Sequence, residues 1–176
     1  MEELIEKAKV GDKQAFENLI LLLQDDLYRI AETRLNNKDD IYDAIQETII
    51  TAFESIKNLR KIQHFKTWLI RILINESNNI YRQKKKRKII SFEEIKNREI
   101  SDLYNIENIE TSMEINTICK NLKYEDRMII ILYYMEKFTD KEIAKILNLK
   151  ENTVTTKRTR AKKKIRENLN LGGDKT

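Results

Sequence analysis

The chain contains no proline, and its only glycines are Gly11, Gly172 and Gly173. Proline and glycine are the residues that most often interrupt helices. Almost nothing in the sequence therefore forces a helix to stop, and we expect an all-α fold. The scarcity of glycine also excludes a glycine-rich loop that could hold a nucleotide phosphate.

Apolar residues recur at three- and four-residue spacing in three N-terminal segments, which is typical of helices with one buried face. The segments are Phe16 to Ile30, Ile41 to Ile56 and Phe65 to Leu73. The apolar stripe of the second segment includes Phe53. Three such helices could form a small bundle. The apolar spacing stops near Gln83, before a run of lysine and arginine. We therefore predict a first helical domain over residues 1–88.

An acidic stretch follows the basic run, and we interpret residues 89–112 as a linker. From Met113 the helical periodicity resumes, which predicts a second domain over residues 113–171. The lone cysteine, Cys119, lies within this periodicity. We expect it to be a small apolar core residue.

Composition limits the possible chemistry. The lone cysteine cannot form an internal disulfide, and the lone histidine, His64, lies far from it in sequence. We therefore predict no metal cluster and no Ser/His/Asp or Cys/His arrangement. No segment is long and uncharged enough to span a bilayer, and no export signal follows Met1. We expect a cytoplasmic, non-enzymatic protein without metal, cofactor or small-molecule substrate. An enzyme that uses carboxylates as acid and base on a nucleic acid remains an alternative.

The segment FTDKEIAKILNLKENTVTTKRTRAKKKI, residues 138–165, has the features of a helix-turn-helix. Thr139 and Glu142 predict a capping box at the start of the first helix. Asn148 suits the left-handed turn, and Asn152 is a candidate N-cap for the second helix. A small, a permissive and a branched apolar residue stand at matching spacing: Ala144, Asn148 and Val154.

The second helix of this unit would bury Val154, Ala161 and Ile165 and turn threonines and basic residues outward. Threonine and arginine can bind phosphates or base edges, and lysines bind phosphates. A solvated charged helix is the alternative, and the turn that precedes the helix favours DNA binding. The net charge of +5 is modest, so the placement of charge matters more than its total.

The whole chain resembles a bacterial RNA polymerase sigma factor of the extracytoplasmic-function class, which has two helical domains called sigma two and sigma four. The resemblance rests on three segments. They are DAIQETIITAFESI from Asp43, FKTWLIRILINESNNIYRQKKKR from Phe65, and FTDKEIAKILNLKENTVTTKRTRAKKKIRENL from Phe138. It covers roughly residues 1 to 170, and the segments follow the order found in the family.

Several positions differ from the family pattern. Asn148 and Asn152 replace the usual glycines, which is a mild change. Arg158 stands where the family has an apolar core residue, so its stem must extend to solvent or the helix must rotate. Thr155 stands where many relatives have lysine or arginine. The base contacts therefore cannot be copied from relatives.

The resemblance implies an alternative sigma factor that binds core RNA polymerase, directs it to promoters and assists DNA melting. It implies that Asp43, Gln46 and Glu47 contact the largest polymerase subunit. For the minus-ten element the implied residues lie in the loop before the third helix and on that helix: Lys61, Gln63, His64, Asn75, Asn79 and Arg82. For the minus-thirty-five element they lie on the second helix of the helix-turn-helix: Thr155, Thr156, Lys157, Thr159, Arg160 and Lys163.

The partners implied are core polymerase and promoter DNA, and an anti-sigma factor is a further candidate. The acidic linker could run toward the RNA exit path or be a plain tether. A stand-alone helix-turn-helix regulator, in which the N-terminal domain serves for dimerisation or sensing, is the alternative function. Such a regulator would bind promoter DNA tightly by itself.

Overall fold

The computed structural model describes residues 1–94, 118–119 and 121–172. Its N-terminal part contains four α-helices. They are α1 (Glu2–Lys9), α2 (Lys13–Glu32), α3 (Lys38–Ser55) and α4 (Phe65–Glu94), with short 3-10 turns at Ile56–Asn58 and Ile62–His64. We call residues 1–94 the N-terminal unit.

The C-terminal part contains α5 (Tyr124–Ile130), α6 (Asp140–Leu147) and α7 (Glu151–Gly172). A π-helical turn, Ile131–Met135, continues α5. We call residues 118–172 the C-terminal unit. The described residues contain helices and no strands, which confirms the all-α prediction.

Local sequence explains where the early helices begin. Asp12 accepts a hydrogen bond from the Ala15 amide at 3.0 Å, and Asn37 accepts one from the Asp39 amide at 2.8 Å. Both side chains satisfy amides that have no partner within the helix. Between α1 and α2 the chain turns at Gly11, whose φ of 100° is a conformation that glycine adopts easily.

Helix α4 is longer than the sequence pattern predicts. The apolar spacing ends near Gln83, but the helix continues through the basic run to Glu94. Lysine and arginine are good helix formers, and no proline or glycine interrupts them. The first residues of the predicted linker, 89–94, are therefore helical, and the rest of that linker lies outside the described residues.

The two units share one buried apolar cluster that extends from Ile5 to Val154. Helix α6 of the C-terminal unit packs against α4 of the N-terminal unit. Cys119 is 1% exposed in a smaller cluster with Leu122, Ile130 and Ala161, as predicted. Phe65 is also buried, whereas Trp68 is only partly buried against the core.

Candidate nucleic-acid and polymerase interfaces

The helix-turn-helix forms as predicted. The Thr139 amide donates to the Glu142 carboxylate at 2.9 Å, and the Glu142 amide donates to the Thr139 hydroxyl at 3.3 Å. At the other end of α6, Asn148 adopts a left-handed conformation with φ 55° and ψ 47°. This turn lets α7 pack across α6.

Helix α7 buries the expected stripe: Val154 is 0% exposed, Ala161 is 1% exposed and Ile165 is partly buried. The predicted N-cap is wrong. The helix begins at Glu151, so Asn152 lies inside its first turn. The Lys150 carbonyl accepts from the Val154 amide at 3.1 Å, which places the helix start one turn before Val154.

The outward face of α7 presents five of the six predicted minus-thirty-five residues to solvent. These are Thr155, Thr156, Thr159, Arg160 and Lys163. Lys157 faces α5 instead, with Nζ 2.7 Å from a Glu125 carboxylate oxygen and 3.5 Å from one of Asp126. The hydrogen bond to Glu125 raises the pKa of Lys157. Lys157 is thus partly neutralised within the protein.

Arg158 is accommodated by partners that the sequence pattern did not reveal. Its guanidinium binds both carboxylate oxygens of Asp140 at 2.9 Å and lies 4.0 Å from the centroid of the Tyr133 ring. The hydrogen bond from Arg158 lowers the pKa of Asp140. The arginine therefore links α7 to the first residue of α6, and the hydrophobic core does not have to accept its charge.

The predicted minus-ten residues are all exposed and fall into two groups. Lys61, Gln63 and His64 lie in the turn before α4. Asn75, Asn79 and Arg82 lie along the middle of α4. At 1.5 Å per residue, the eleven residues from His64 to Asn75 separate the groups by about 16 Å.

Arg82 is held in place by its own helix. Its Nη2 donates to Asn79 Oδ1 at 3.0 Å, and its Nε donates to the Asn78 carbonyl at 3.2 Å. Farther along α4, residues 84–87 are all exposed, and Lys84 lies 2.6 Å from the Asp40 carboxylate. The exposed amides and the positive charges thus follow one another along one helix.

Helix α3 exposes Asp43, Gln46 and Glu47, the three residues that the resemblance assigns to a polymerase contact. The same helix also exposes large apolar side chains, with Tyr42 at 59% and Phe53 at 42%. The sequence pattern placed Phe53 in the buried stripe, and that prediction is wrong. Its ring instead lies edge-on to Phe16, with centroids 5.2 Å apart, at the margin of the core.

An open groove of about 690 Å³ lies beside α3. Its lining includes Tyr28, Tyr42, Ile45 and Ile49 from the N-terminal unit and Met135 from the C-terminal unit. The apolar spacing on α2 and α3 predicted only that these helices bury a face. The spacing did not show that part of that face stays open.

Buried ionic contacts join the two units. The side chain of Glu136 is 1% exposed and pairs with Arg29 and Lys66, while Lys66 also lies 2.6 Å from Asp26. Burial raises the pKa of Glu136. Burial acts to raise the pKa of Asp26 too, but the hydrogen bond from Lys66 contributes to a net lowering.

A second contact between the units is aromatic. The Arg34 guanidinium carbon lies 3.6 Å from the centroid of the Tyr81 ring and 4.1 Å from that of Tyr124. Beside it, Arg127 donates to the Thr33 carbonyl at 3.1 Å. Sequence reasoning missed these residues, because neither helical periodicity nor a motif marks them.

The part of the chain that the structure describes contains neither a candidate metal site nor a membrane-spanning helix. No group of three or more His, Cys, Asp or Glu side chains there could hold a metal ion. Within the same residues, no helix is both long and apolar enough to cross a bilayer.

Comparisons with known proteins agree with this arrangement. Sigma-70 region 2 matches residues 19–87, and Sigma-70 region 4 matches residues 112–165. The RNA polymerase sigma factor SigV of Bacillus subtilis is 31% identical over 146 residues, covering 82% of this chain and 84% of SigV. The ECF RNA polymerase sigma factor SigW of the same organism is 30% identical, covering 94% of each chain.

Two solved structures share the fold at 20% sequence identity. CnrH in complex with the cytosolic domain of CnrY gives a TM-score of 0.70 and covers 97% of both chains. The sigma factor RpoE of Bartonella quintana, in complex with the anti-sigma factor NepR, gives 0.69 and covers 89% of this chain and 97% of RpoE. The family matches and the identity to curated relatives over most of the chain establish that this protein belongs to the ECF RNA polymerase sigma factors.

Proposed function

We propose that this alternative sigma factor divides its contacts between its two units. The N-terminal unit binds core polymerase through α3 and the minus-ten element through α4 and the preceding turn. The C-terminal unit binds the minus-thirty-five element through α7. The observation that supports this most strongly is the exposed face of α7, which a capped helix and a left-handed turn hold outward.

An α-helix fits the major groove of DNA, where each base pair presents a distinct set of donors and acceptors. Thr155, Thr156, Thr159 and Arg160 lie on the exposed face and are the candidates for base edges. Lys163 lies farther along the same helix, and we assign it to a phosphate.

The exposed surface of α4 is suited to binding single-stranded DNA in an opened promoter. Asn75 and Asn79 are exposed one turn apart, and asparagine can hydrogen-bond a base edge in two places. The turn residues Lys61, Gln63 and His64 are the candidates for contacting a base extruded from the stack. Arg82 and the basic residues after it would bind the nearby phosphates.

The outer face of α3 combines polar and apolar groups, as the centre and rim of a protein interface do. Asp43, Gln46 and Glu47 would supply the polar contacts to the largest polymerase subunit. Tyr42 and Phe53 would supply the apolar area that an aromatic anchor buries on binding. Because all five side chains are exposed, this contact requires no opening of the core.

Simultaneous contact with both promoter elements requires the two units to separate. Elements about 25 base pairs apart lie about 85 Å apart at 3.4 Å per base pair. A packed chain of this length has a radius of gyration of only about 16 Å. The contacts among Glu136, Arg29 and Lys66 must therefore break when the sigma factor occupies a promoter with polymerase.

In this scheme the polymerase catalyses RNA synthesis and the sigma factor is non-catalytic. The sigma factor acts in the cytoplasm, because the DNA template of a bacterium lies there. The complexes of CnrH with CnrY and of RpoE with NepR support an anti-sigma protein as a further candidate partner. Such a partner would compete with polymerase for the same surfaces.

Run-off transcription tests the proposal. Purified protein, core polymerase and genomic promoter fragments should together give transcripts that neither protein gives alone. Footprinting of the free protein provides the complementary measurement, because we expect weak protection without polymerase. Tight and specific footprints by the free protein would instead indicate a stand-alone helix-turn-helix regulator.

A further inference from the structure

Asp140 connects two residues of α7 in a single polar cluster. Its Oδ1 accepts from Arg158 Nε at 2.9 Å, and its Oδ2 accepts from Arg158 Nη2 at 2.9 Å and from Thr155 Oγ1 at 2.7 Å. Asp140 is the first residue of α6, so the cluster links the two helices of the helix-turn-helix. Thr155 lies on the exposed face of α7.

The cluster determines which way the Thr155 hydroxyl hydrogen bonds. An ionised carboxylate only accepts hydrogen bonds, and a threonine hydroxyl has a single proton to donate. Its other partner among the described residues, the Glu151 carbonyl at 3.2 Å, is also an acceptor. The proton of Thr155 is therefore used inside the protein, and only its lone pairs face outward.

The charge of Asp140 is stable in this environment. The bidentate bond from Arg158 lowers the pKa of Asp140, so the carboxylate stays ionised at neutral pH. The Arg158 side chain, 20% exposed, lies over the Tyr133 ring and so keeps a defined orientation. Arg158 also offsets a negative charge that would otherwise repel DNA phosphates.

The two neighbouring threonines lack such a constraint. Thr156 donates to the Asn152 carbonyl at 2.8 Å, and Thr159 donates to the Thr155 carbonyl at 2.9 Å. Threonines in helices commonly make this bond and can leave it by rotating χ1. Thr155 differs, because its partner is a carboxylate on another helix.

We propose that Asp140 is a positioning residue that sets base preference at one position of the upstream promoter element by holding Thr155 as a hydrogen-bond acceptor. The base that Thr155 faces must then present an amino group in the major groove. Adenine does so through N6 and cytosine through N4, whereas guanine and thymine present acceptors. This inference rests on the proposed insertion of α7 into the major groove.

The test measures binding of polymerase holoenzyme, containing the full sigma chain, to promoter fragments. Each upstream base is varied in turn, on the strand that faces α7. We expect one position at which adenine or cytosine is preferred over guanine or thymine by about fivefold or more. Thr155→Val, which keeps the shape and removes the hydroxyl, should abolish the preference at that position only.

Asp140→Asn provides a sharper test. The asparagine amide can donate to Thr155 Oγ1, which leaves the hydroxyl proton to the Glu151 carbonyl or, after rotation of χ1, to a base. At the same position guanine and thymine should then be accepted, and the preference for adenine or cytosine should fall. Asp126→Asn is the matched control, because Asp126 also lies beside α7 but contacts Lys157 and not Thr155.

Folding is checked separately. The double variant Asp140→Ala/Arg158→Leu removes both charges and places an apolar residue beside Tyr133, so no charge is left without its partner. It should melt close to the parent protein and still lose the base preference at the Thr155 position. That combination excludes a purely structural role for Asp140.

The outcomes also separate this inference from the proposed function. If base preference at every position survives both Thr155→Val and Asp140→Asn, the inference is wrong. If Arg160→Ala or Lys163→Ala still lowers the affinity of the holoenzyme for the promoter, α7 remains the DNA-binding helix. If no α7 variant alters binding to the upstream element, the placement of α7 in the groove fails as well.

Discussion

The Glu136 carboxylate lies 3.2 Å from Lys66 Nζ, although the two residues belong to different units and are 70 positions apart in the chain. The same carboxylate pairs with Arg29. A carboxylate that is 1% exposed is stable only while such partners are in place. The ionic contact between the two units therefore depends on this one side chain, beside the apolar cluster that the units share.

Glu136→Gln should destabilise the folded chain. It removes one carboxylate from Arg29 and Lys66 and leaves them paired with Asp26. We expect a loss of about 2 to 3 kcal/mol in the free energy of unfolding. This is below the range for fully buried pairs because the two cationic side chains are 27% and 30% exposed. Urea denaturation measures the loss, and Glu17→Gln on the exposed face of α2 is the control. Equal stability of the two variants would contradict the prediction.

Arg34→Ala should loosen the contact between the units. The guanidinium stacks on Tyr81 and Tyr124, one ring from each unit. Stacked cations of this kind contribute about 0.5 to 2 kcal/mol. Small-angle scattering of the free protein should show a larger radius of gyration, whereas Arg60→Ala at an exposed turn position should not. An unchanged radius for Arg34→Ala would mean that the stack does not hold the units together.

Replacing Asp43, Gln46 and Glu47 together with alanine should weaken polymerase binding. All three are exposed on α3, so helicity and melting temperature should stay nearly unchanged. Titration of labelled core polymerase measures the affinity, and circular dichroism checks the fold. A triple variant that unfolds would show that these residues support the N-terminal unit itself.

Arg160→Ala and Lys163→Ala should affect promoter binding differently. If Arg160 binds guanine with two hydrogen bonds, its loss should cost about 1 to 3 kcal/mol and relax the preference at one base position. Lys163→Ala should weaken binding about equally on all sequences and reduce the salt slope by about one phosphate. Both are measured as holoenzyme on fragments that differ only in the upstream element. A uniform loss for Arg160→Ala would make it a phosphate contact and leave base contacts to the threonines.

The Asp140 and Arg158 pair predicts a pH dependence. The pKa of Asp140 is lowered in the folded state, mainly by the hydrogen bond from Arg158. The pair therefore stabilises the protein fully above the ordinary Asp pKa of about 3.9, and this stabilisation is lost as pH falls through the lowered value. Below about pH 4, the wild type should lose stability more steeply than Asp140→Asn. Parallel stability curves from denaturation at pH 5 to 2.5 would contradict the pairing.

Most of the helix-turn-helix could be predicted from sequence, because its signals act over a few residues. The capping box needs only Thr139 and Glu142, three positions apart, and the turn needs only a residue such as Asn148 that tolerates positive φ. The buried stripe of Val154 and Ala161 follows from helical periodicity alone. The family motifs depend on residue order in the same way.

The exposure of a candidate DNA-binding side chain could be predicted where its position on its own helix decides which way it points. Thr155, Thr156, Thr159, Arg160 and Lys163 lie opposite a buried stripe, so periodicity places them outward. Lys157 faces α5, and the carboxylates that pair with it come from a separate helix. Phe53 lies at the edge of its stripe, where the neighbouring helices decide whether a ring is covered.

The sequence by itself determined the all-helical fold, the capping box of Thr139 and Glu142 and the order of the functional segments. It did not predict how far α4 continues or where α7 begins. Only the tertiary structure decided that Glu136 meets Arg29 across 107 positions and that Asp140 meets Arg158 across 18. The physical reason is the distance along the chain over which each interaction is specified. Hydrogen bonds and apolar spacing within a turn depend on adjacent residues, whereas the partner of a buried charge depends on how whole helices pack, and no local pattern specifies that packing.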